Sequence, residues 1–292
     1  MKICIIFMPK LVVMPNEKRN KRVATAIVIA VIALITIILE SAVGSFPFAI
    51  FSFPLNILCI LLWLFTLCHL YRNRATSTIA QMMLSREATW LSLLIMAVTG
   101  IALGLERKPS SDSWAVVTGI LFVLSHLTFV ILRGCRVAGG IRWRFTLTHV
   151  GLWLALVAGF WGAPDREQLR ISVNEQPSSE AYTIKGELRR LPYDIRMEDF
   201  DIELSANGTP ENYEARVNID GISITLRVNH PYNRTIAEKV YLVSHSTSVV
   251  GKRYLILEIV TEPWQWLSAA GIVMLIGGAV LLFLRGPKNR KS

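Results

Sequence analysis

Tyr213-Glu-Ala215-Arg-Val217-Asn-Ile219-Asp220-Gly221-Ile222-Ser-Ile224-Thr-Leu226-Arg-Val228 decides how the polar middle of this chain reads. Apolar residues recur at every second position on both sides of Asp220-Gly221, the period of a strand with one buried face. The dipeptide between them suits a two-residue turn, which needs positive φ at both positions. The stretch is a β-hairpin. The same alternation appears in Leu169-Arg-Ile171-Ser-Val173, in Tyr193-Asp-Ile195-Arg-Met197 and in Leu255-Ile-Leu257-Glu-Ile259, and Asn207-Gly208-Thr209-Pro210 marks a further turn. No helical period of useful length interrupts these runs. The expected product is an antiparallel sandwich or open barrel of about six to eight strands.

Apolar stretches enclose this segment. They run over Val23–Val43, Pro54–Leu70, Trp90–Leu105, Trp114–Leu132 and Thr146–Ala163 before it, and over Trp264–Leu284 after it. Each approaches the ~20 residues that cross a bilayer, the third being short. Basic residues cluster at Lys18, Arg19, Lys21 and Arg22, at Arg72, Arg74 and Arg86, at Arg133, Arg136, Arg142 and Arg144, and at Arg285, Lys288, Arg290 and Lys291. The positive-inside rule places all four clusters in the cytoplasm, which six crossings satisfy, and puts the β segment outside. The fold class read from this is a polytopic α-helical membrane protein with an inserted all-β extracytoplasmic domain. Its parts are a cytoplasmic basic N-terminus (1–22), a five-span region (23–163), the β-domain (164–263), a sixth transmembrane helix (264–284) and a cytoplasmic basic tail (285–292).

Composition agrees. Hydrophobic residues make up 52% of the chain and mean hydropathy is +0.45, too apolar for an ordinary soluble domain of this length. The net charge of +10 is topological, because residues 164–263 hold 12 Lys or Arg against 16 Asp or Glu. It meets anionic lipid headgroups and excludes nucleic acid as the partner. The first span is too long for a signal-peptide core and reads as a retained anchor, with Met1 and Met14 both plausible starts. Cys4, Cys59, Cys68 and Cys135 lie in or beside the spans, and none lies in the β segment, so that domain must hold together without disulfides.

Chemistry-bearing residues are few. No nucleophile elbow, zinc-protease helix, phosphate-cradling loop or convincing carboxylate pair is present. Three histidines fall in or beside spans: His69, His126 and His149. An ionisable residue within a membrane defaults to a functional hypothesis, although a neutral imidazole is the mildest case and each could simply hydrogen-bond a neighbouring helix. His126 fits that plain role best. His149 stands apart, with Gly151 allowing close approach of a flat ligand or a second helix and Trp153 one turn on along the same face. Axial nitrogen, backbone clearance and an aromatic ring are what a haem-ligating helix requires. Trp153 would serve equally in an interfacial aromatic belt. Glu40 reads as interfacial, and His230, before Pro231, as a strand-end residue.

These residues carry a resemblance. Trp143-Arg-Phe-Thr-Leu-Thr-His149-Val-Gly151-Leu-Trp153 resembles the helix before the external domain in the ResB/CcsB family of cytochrome c biogenesis proteins. Leu191-Pro192-Tyr-Asp-Ile-Arg-Met-Glu198-Asp199-Phe200, Asn207-Gly-Thr-Pro210 and Val228-Asn229-His230-Pro231 resemble that domain in order. The likeness covers about residues 142–286. Five spans precede the domain here, where the commoner plan of the family has three.

The resemblance implies a system II cytochrome c assembly subunit in a bacterial cytoplasmic membrane, with both termini cytoplasmic. Beside a CcsA-type partner it would help deliver reduced haem for thioether attachment to apocytochrome c. It implies transient haem b, with His149 or His69 as ligand to the haem iron and Trp153 beside it. The partner's Trp-rich segment and external histidine pair are missing, so this chain would be at most a non-catalytic or accessory subunit of the haem lyase. Two other readings stay open. One is a non-enzymatic scaffold or receptor whose β-domain binds an envelope partner. The other is a transporter, for which paired broken helices would be expected.

Overall fold

The structure, a computed structural model, describes residue 31 and residues 34–105, 112–137, 140–204, 210–247 and 253–284. The basic N-terminal and C-terminal clusters, the first part of span one, both plausible starts, and most of the turn at Asn207-Gly208-Thr209-Pro210 lie outside these. The helices are α1 (Leu34–Val43), α2 (Leu55–Arg72), α3 (Thr78–Met83), α4 (Arg86–Leu105), α5 (Trp114–Gly134), α6 (Trp143–Trp161) and α7 (Gln265–Leu284). Four of them, α2, α4, α5 and α7, are long and apolar enough to cross a membrane. The remaining expected spans correspond to α1, described over ten residues, and to α6, whose first two turns carry Arg144 and His149. The third span proves longer than its apolar run, because the helix already begins at Arg86. The strands are β1 (Arg136–Val137), β2 (Gly140–Ile141), β3 (Glu167–Val173), β4 (Ser178–Thr183), β5 (Leu188–Leu204), β6 (Pro210–Ile219), β7 (Ile222–Arg227), β8 (Tyr232–Asn233), β9 (Glu238–Thr247) and β10 (Arg253–Thr261).

The chain divides into two compact units, one of Met1–Pro47 with Cys68–Phe129 and one of Phe48–Leu67 with Val130–Ser292. In the first, hydroxyls start the helices. Ser77 caps α3 by accepting from the Ala80 N–H, and Ser113 accepts from the Val116 N–H in the first turn of α5. Glu40 is more than interfacial. Its carboxylate accepts the Trp114 N–H at 2.7 Å, placing negative charge on the first turn of α5, while the Trp114 indole N–H donates to the Gly44 carbonyl. His126 is buried, with Nδ1 2.8 Å from the Met83 carbonyl, a neighbouring-helix contact of the plain kind.

The second unit contains the β-domain. Eight strands form one antiparallel sheet in the order β7-β6-β5-β4-β3-β10-β9-β8. The first strand, β3, lies beside the last, β10, with Glu167 opposite Thr261. Leu169, Ile171 and Val173 meet Leu255, Leu257 and Ile259 across that pair, all buried. Asp220 (φ 54°) and Gly221 (φ 83°) make the expected two-residue turn between β6 and β7.

The sheet curls until its edges approach. Three strands separate β5 from β9 in the sheet, which would put them ~19 Å apart if it were flat. Yet the Tyr193 hydroxyl of β5 donates to Glu238 of β9 at 2.7 Å. Leu226 of β7 and Val240 of β9 share one hydrophobic cluster. The open-barrel alternative is the one adopted. At the seam, Arg227 bridges His230, and the next residue, Pro231, has no N–H with which to continue the ladder. Side chains hold the seam instead. Arg234 lies 3.3 Å from Glu238 and 3.8 Å from Asp220, with its guanidinium 3.7 Å from the centre of the Tyr193 ring.

Candidate functional site

The chemistry-bearing residues of the second unit lie along α6. Phe145, His149, Trp153 and Trp161 recur at steps of four or eight and so share one slowly drifting face. Thr148, Gly151 and Ala155 lie on an adjacent face and receive α7. A Cβ on Gly151 would come within 2.6 Å of the Gly271 carbonyl, and one on Gly271 within 2.6 Å of the Ala155 nitrogen. A Cβ on Gly278 would meet Thr148 at 2.6 Å. Of the two uses expected for Gly151, close approach of a second helix is the one observed.

His149 is half-buried and held on two sides. Its Nδ1 lies 2.9 Å from the Phe145 carbonyl, which can only accept, so Nδ1 carries the proton. The Thr148 hydroxyl is 3.1 Å from the same nitrogen. The imidazole stacks on the Phe145 ring, with centroids 3.9 Å apart and planes 19° from parallel. Nε2 has no hydrogen-bond partner among the described residues. Metal-binding histidines commonly show this arrangement, with one N–H committed to an acceptor such as a carbonyl and the other nitrogen keeping its lone pair. The donor chemistry at His149 therefore fits an axial ligand to haem iron.

Trp153 lies parallel to Trp63 of α2, at 6.4 Å and 5°, and Trp63 also meets Trp161 at 6.4 Å. Trp63 was not singled out from the sequence, where an aromatic in an apolar span carries no local mark. His69 is exposed near the end of α2, with Nε2 3.1 Å from the Asn73 amide. It falls in the first compact unit and His149 in the second. Among the described residues no cluster of three or more His, Cys, Asp or Glu could hold a metal ion, and Cys59, Cys68 and Cys135 are free.

A second cluster joins the β-domain to the helices. Asp165, between α6 and β3, accepts from the Phe53 N–H at 2.7 Å, the Asn56 amide at 2.7 Å and the Trp264 indole at 2.6 Å. Asn56 is fully buried and also donates to the Trp161 carbonyl. A cleft of about 560 Å³ opens beside it, lined by Ser52, Phe53, Pro164, Arg166, Glu167, Pro263 and Trp264 as well as Asp165. Sequence reasoning missed this junction, although a lone Asn in the first turn of an apolar helix was a signal for it.

On the outer face of the β-domain, Glu198 occupies the bulge between Met197 and Asp199. It accepts from Ser223 and, at 3.0 Å, from Asn218, and these bonds hold its carboxyl below the usual carboxylate range. Inside, burial pushes the Tyr193 phenol up, and its bond to Glu238 adds to the effect. His230 follows Asn229 (φ 62°) in the turn after β7, and His245 packs against Phe200 at 5.0 Å.

Comparison with known proteins places residues 141–255 in register with the model of the ResB-like family. No curated protein matches the chain. The matched segment runs from the start of α6 into β10 and holds His149, Trp153, Asp165 and most of the barrel.

Proposed function

We infer, from the ResB-like identity of residues 141–255, that this membrane protein serves cytochrome c biogenesis as the ResB-like subunit of a system II assembly complex. The family match supports a role in cytochrome c biogenesis. The finer reading is that the chain works beside a CcsA-type partner in a bacterial cytoplasmic membrane and helps reduced haem reach apocytochrome c outside it. Haem is cargo in this scheme: an imidazole nitrogen would hold its iron, and its vinyl groups would be joined to the thiols of apocytochrome c.

His149 is the observation that carries the haem reading. It lies within the matched segment, and its Nδ1 proton is committed to the Phe145 carbonyl, which leaves Nε2 as the available donor atom. Trp153, one turn along α6 from His149, adds flat apolar surface, with Trp63 of α2 parallel to it. His69 is the second ligand candidate. The barrel, with a filled interior, would act through its outer surface, supporting the partner or shielding reduced haem from water and oxidant.

The test is purification of the full chain with its CcsA-type partner from a cytochrome c-producing host, followed by a haem spectrum and a holocytochrome c count. His149→Ala should deplete bound haem and holocytochrome c together, with His69→Ala as the parallel arm. Loss of holocytochrome c on deleting the chain, with no haem in any preparation, would favour the scaffold reading. Normal holocytochrome c without the chain would end the proposal.

A further inference from the structure

We propose that Phe145 is a positioning residue for His149, seated on Gly134, so that the end of α5 and the start of α6 together fix the imidazole plane. The inference rests on the haem reading of His149 and adds residues to it.

A histidine side chain turns freely about its outer torsion, so a ligand nitrogen is useful only where something fixes the ring. Here the Phe145 backbone holds Nδ1 at 2.9 Å, and the Phe145 side chain stacks on the imidazole face at 3.9 Å. One residue thus fixes both the tautomer and the plane.

Phe145 is itself held from a different helix. A Cβ on Gly134 would lie 2.3 Å from Cζ and 2.4 Å from Cε1 of Phe145, so no side chain at position 134 is compatible with the ring where it sits. Arg142 completes the seat, with its guanidinium 5.0 Å from the centre of the Phe145 ring and one nitrogen 3.5 Å from the Gly134 carbonyl. The short β1–β2 hairpin returns the chain from α5 to α6, with the Arg142 N–H donating to the Cys135 carbonyl. The mount is continuous from Gly134 through Phe145 to His149.

The test uses the full-length protein in lipid nanodiscs, titrated with haem b, and reads affinity, the absorption bands and the ferric electron-paramagnetic signal. His149→Gly should lose the imidazole-ligated spectrum and regain it on addition of free imidazole. Phe145→Leu should weaken haem binding by about tenfold and spread the ferric signal, the size expected when a ligand's support is removed. Phe145→Tyr, which keeps the ring, should match the native spectrum. Gly134→Ala, a milder change, should reproduce the Phe145→Leu spectrum by displacing the ring. Native affinity and spectrum in both Phe145→Leu and Gly134→Ala, with the loss in His149→Gly intact, would overturn the positioning role and leave the ligand reading standing. An unchanged spectrum in His149→Gly would overturn the ligand reading first, and the mount with it.

Discussion

Asp165 shows how much one side chain can organise in this molecule. Its carboxylate takes one N–H from the backbone at Phe53, one from Asn56 and one from Trp264, residues about a hundred positions away on either side. Asp165→Ala removes the acceptor of all three; water can replace it at the exposed Phe53 N–H, whereas a buried donor such as the Asn56 amide, left unsatisfied, costs about 1–3 kcal/mol. The expected outcome is a lower unfolding temperature in detergent and a red shift of indole emission, with Asp165→Asn losing less. Glu198 makes a charge prediction. Its carboxyl titrates below the ordinary range when folded, so the stability it contributes is present above the unfolded value and lost as pH falls through the folded one. Ser223→Ala removes the first cause of that lowering, so the acid unfolding midpoint of the variant should lie at higher pH.

At the level of elements, α6 and α7 continue the antiparallel pair β3 and β10 as one long hairpin. The glycines set how closely the two helices approach. Gly271 lies against the Ala155 and Gly151 backbones, so a larger side chain there must push the helices apart. Gly271→Leu should destabilise the unit by about 1–3 kcal/mol or more, the scale of overpacking a tight contact. Heat unfolding should register it, while Gly277→Leu, with open space at its Cβ position, should behave as native. In the barrel, Leu257 is fully buried between β3 and β9. Leu257→Ala should cost about 2–5 kcal/mol, read by urea unfolding.

The whole molecule turns on which side of the membrane carries the barrel. Because β3 and β10 are neighbours, the chain leaves α6 and returns to α7 at one end of the sheet, and the α5–α6 basic hairpin lies at the opposite end of α6. Cysteines introduced at Glu187, in the β4–β5 turn, and at Arg136 into a cysteine-free protein should report this in intact cells. Glu187→Cys should react with an impermeant maleimide and Arg136→Cys only after permeabilisation. The reverse pattern would refute the extracytoplasmic barrel.

Four membrane-length helices and most of the barrel were legible along the chain, because a helix apolar on every side leaves a long unbroken apolar run and a strand with one buried face leaves a period of two. Five strands showed it at Leu169–Val173, Tyr193–Met197, Tyr213–Ile219, Ile222–Val228 and Leu255–Ile259. Strand β4 did not, since Ala181 is its one fully buried residue. Strand β9 hid because a bulge at Val243 shifts its alternation, as the bulge at Glu198 does before Phe200. The ligand candidate His149 was legible from residue type and place, but its mount was not. That mount, the closure of the sheet through Arg234 and the junction at Asp165 arise only when distant parts of the chain meet. Each joins residues from separate elements through single side chains, and a contact of that kind has no period to read.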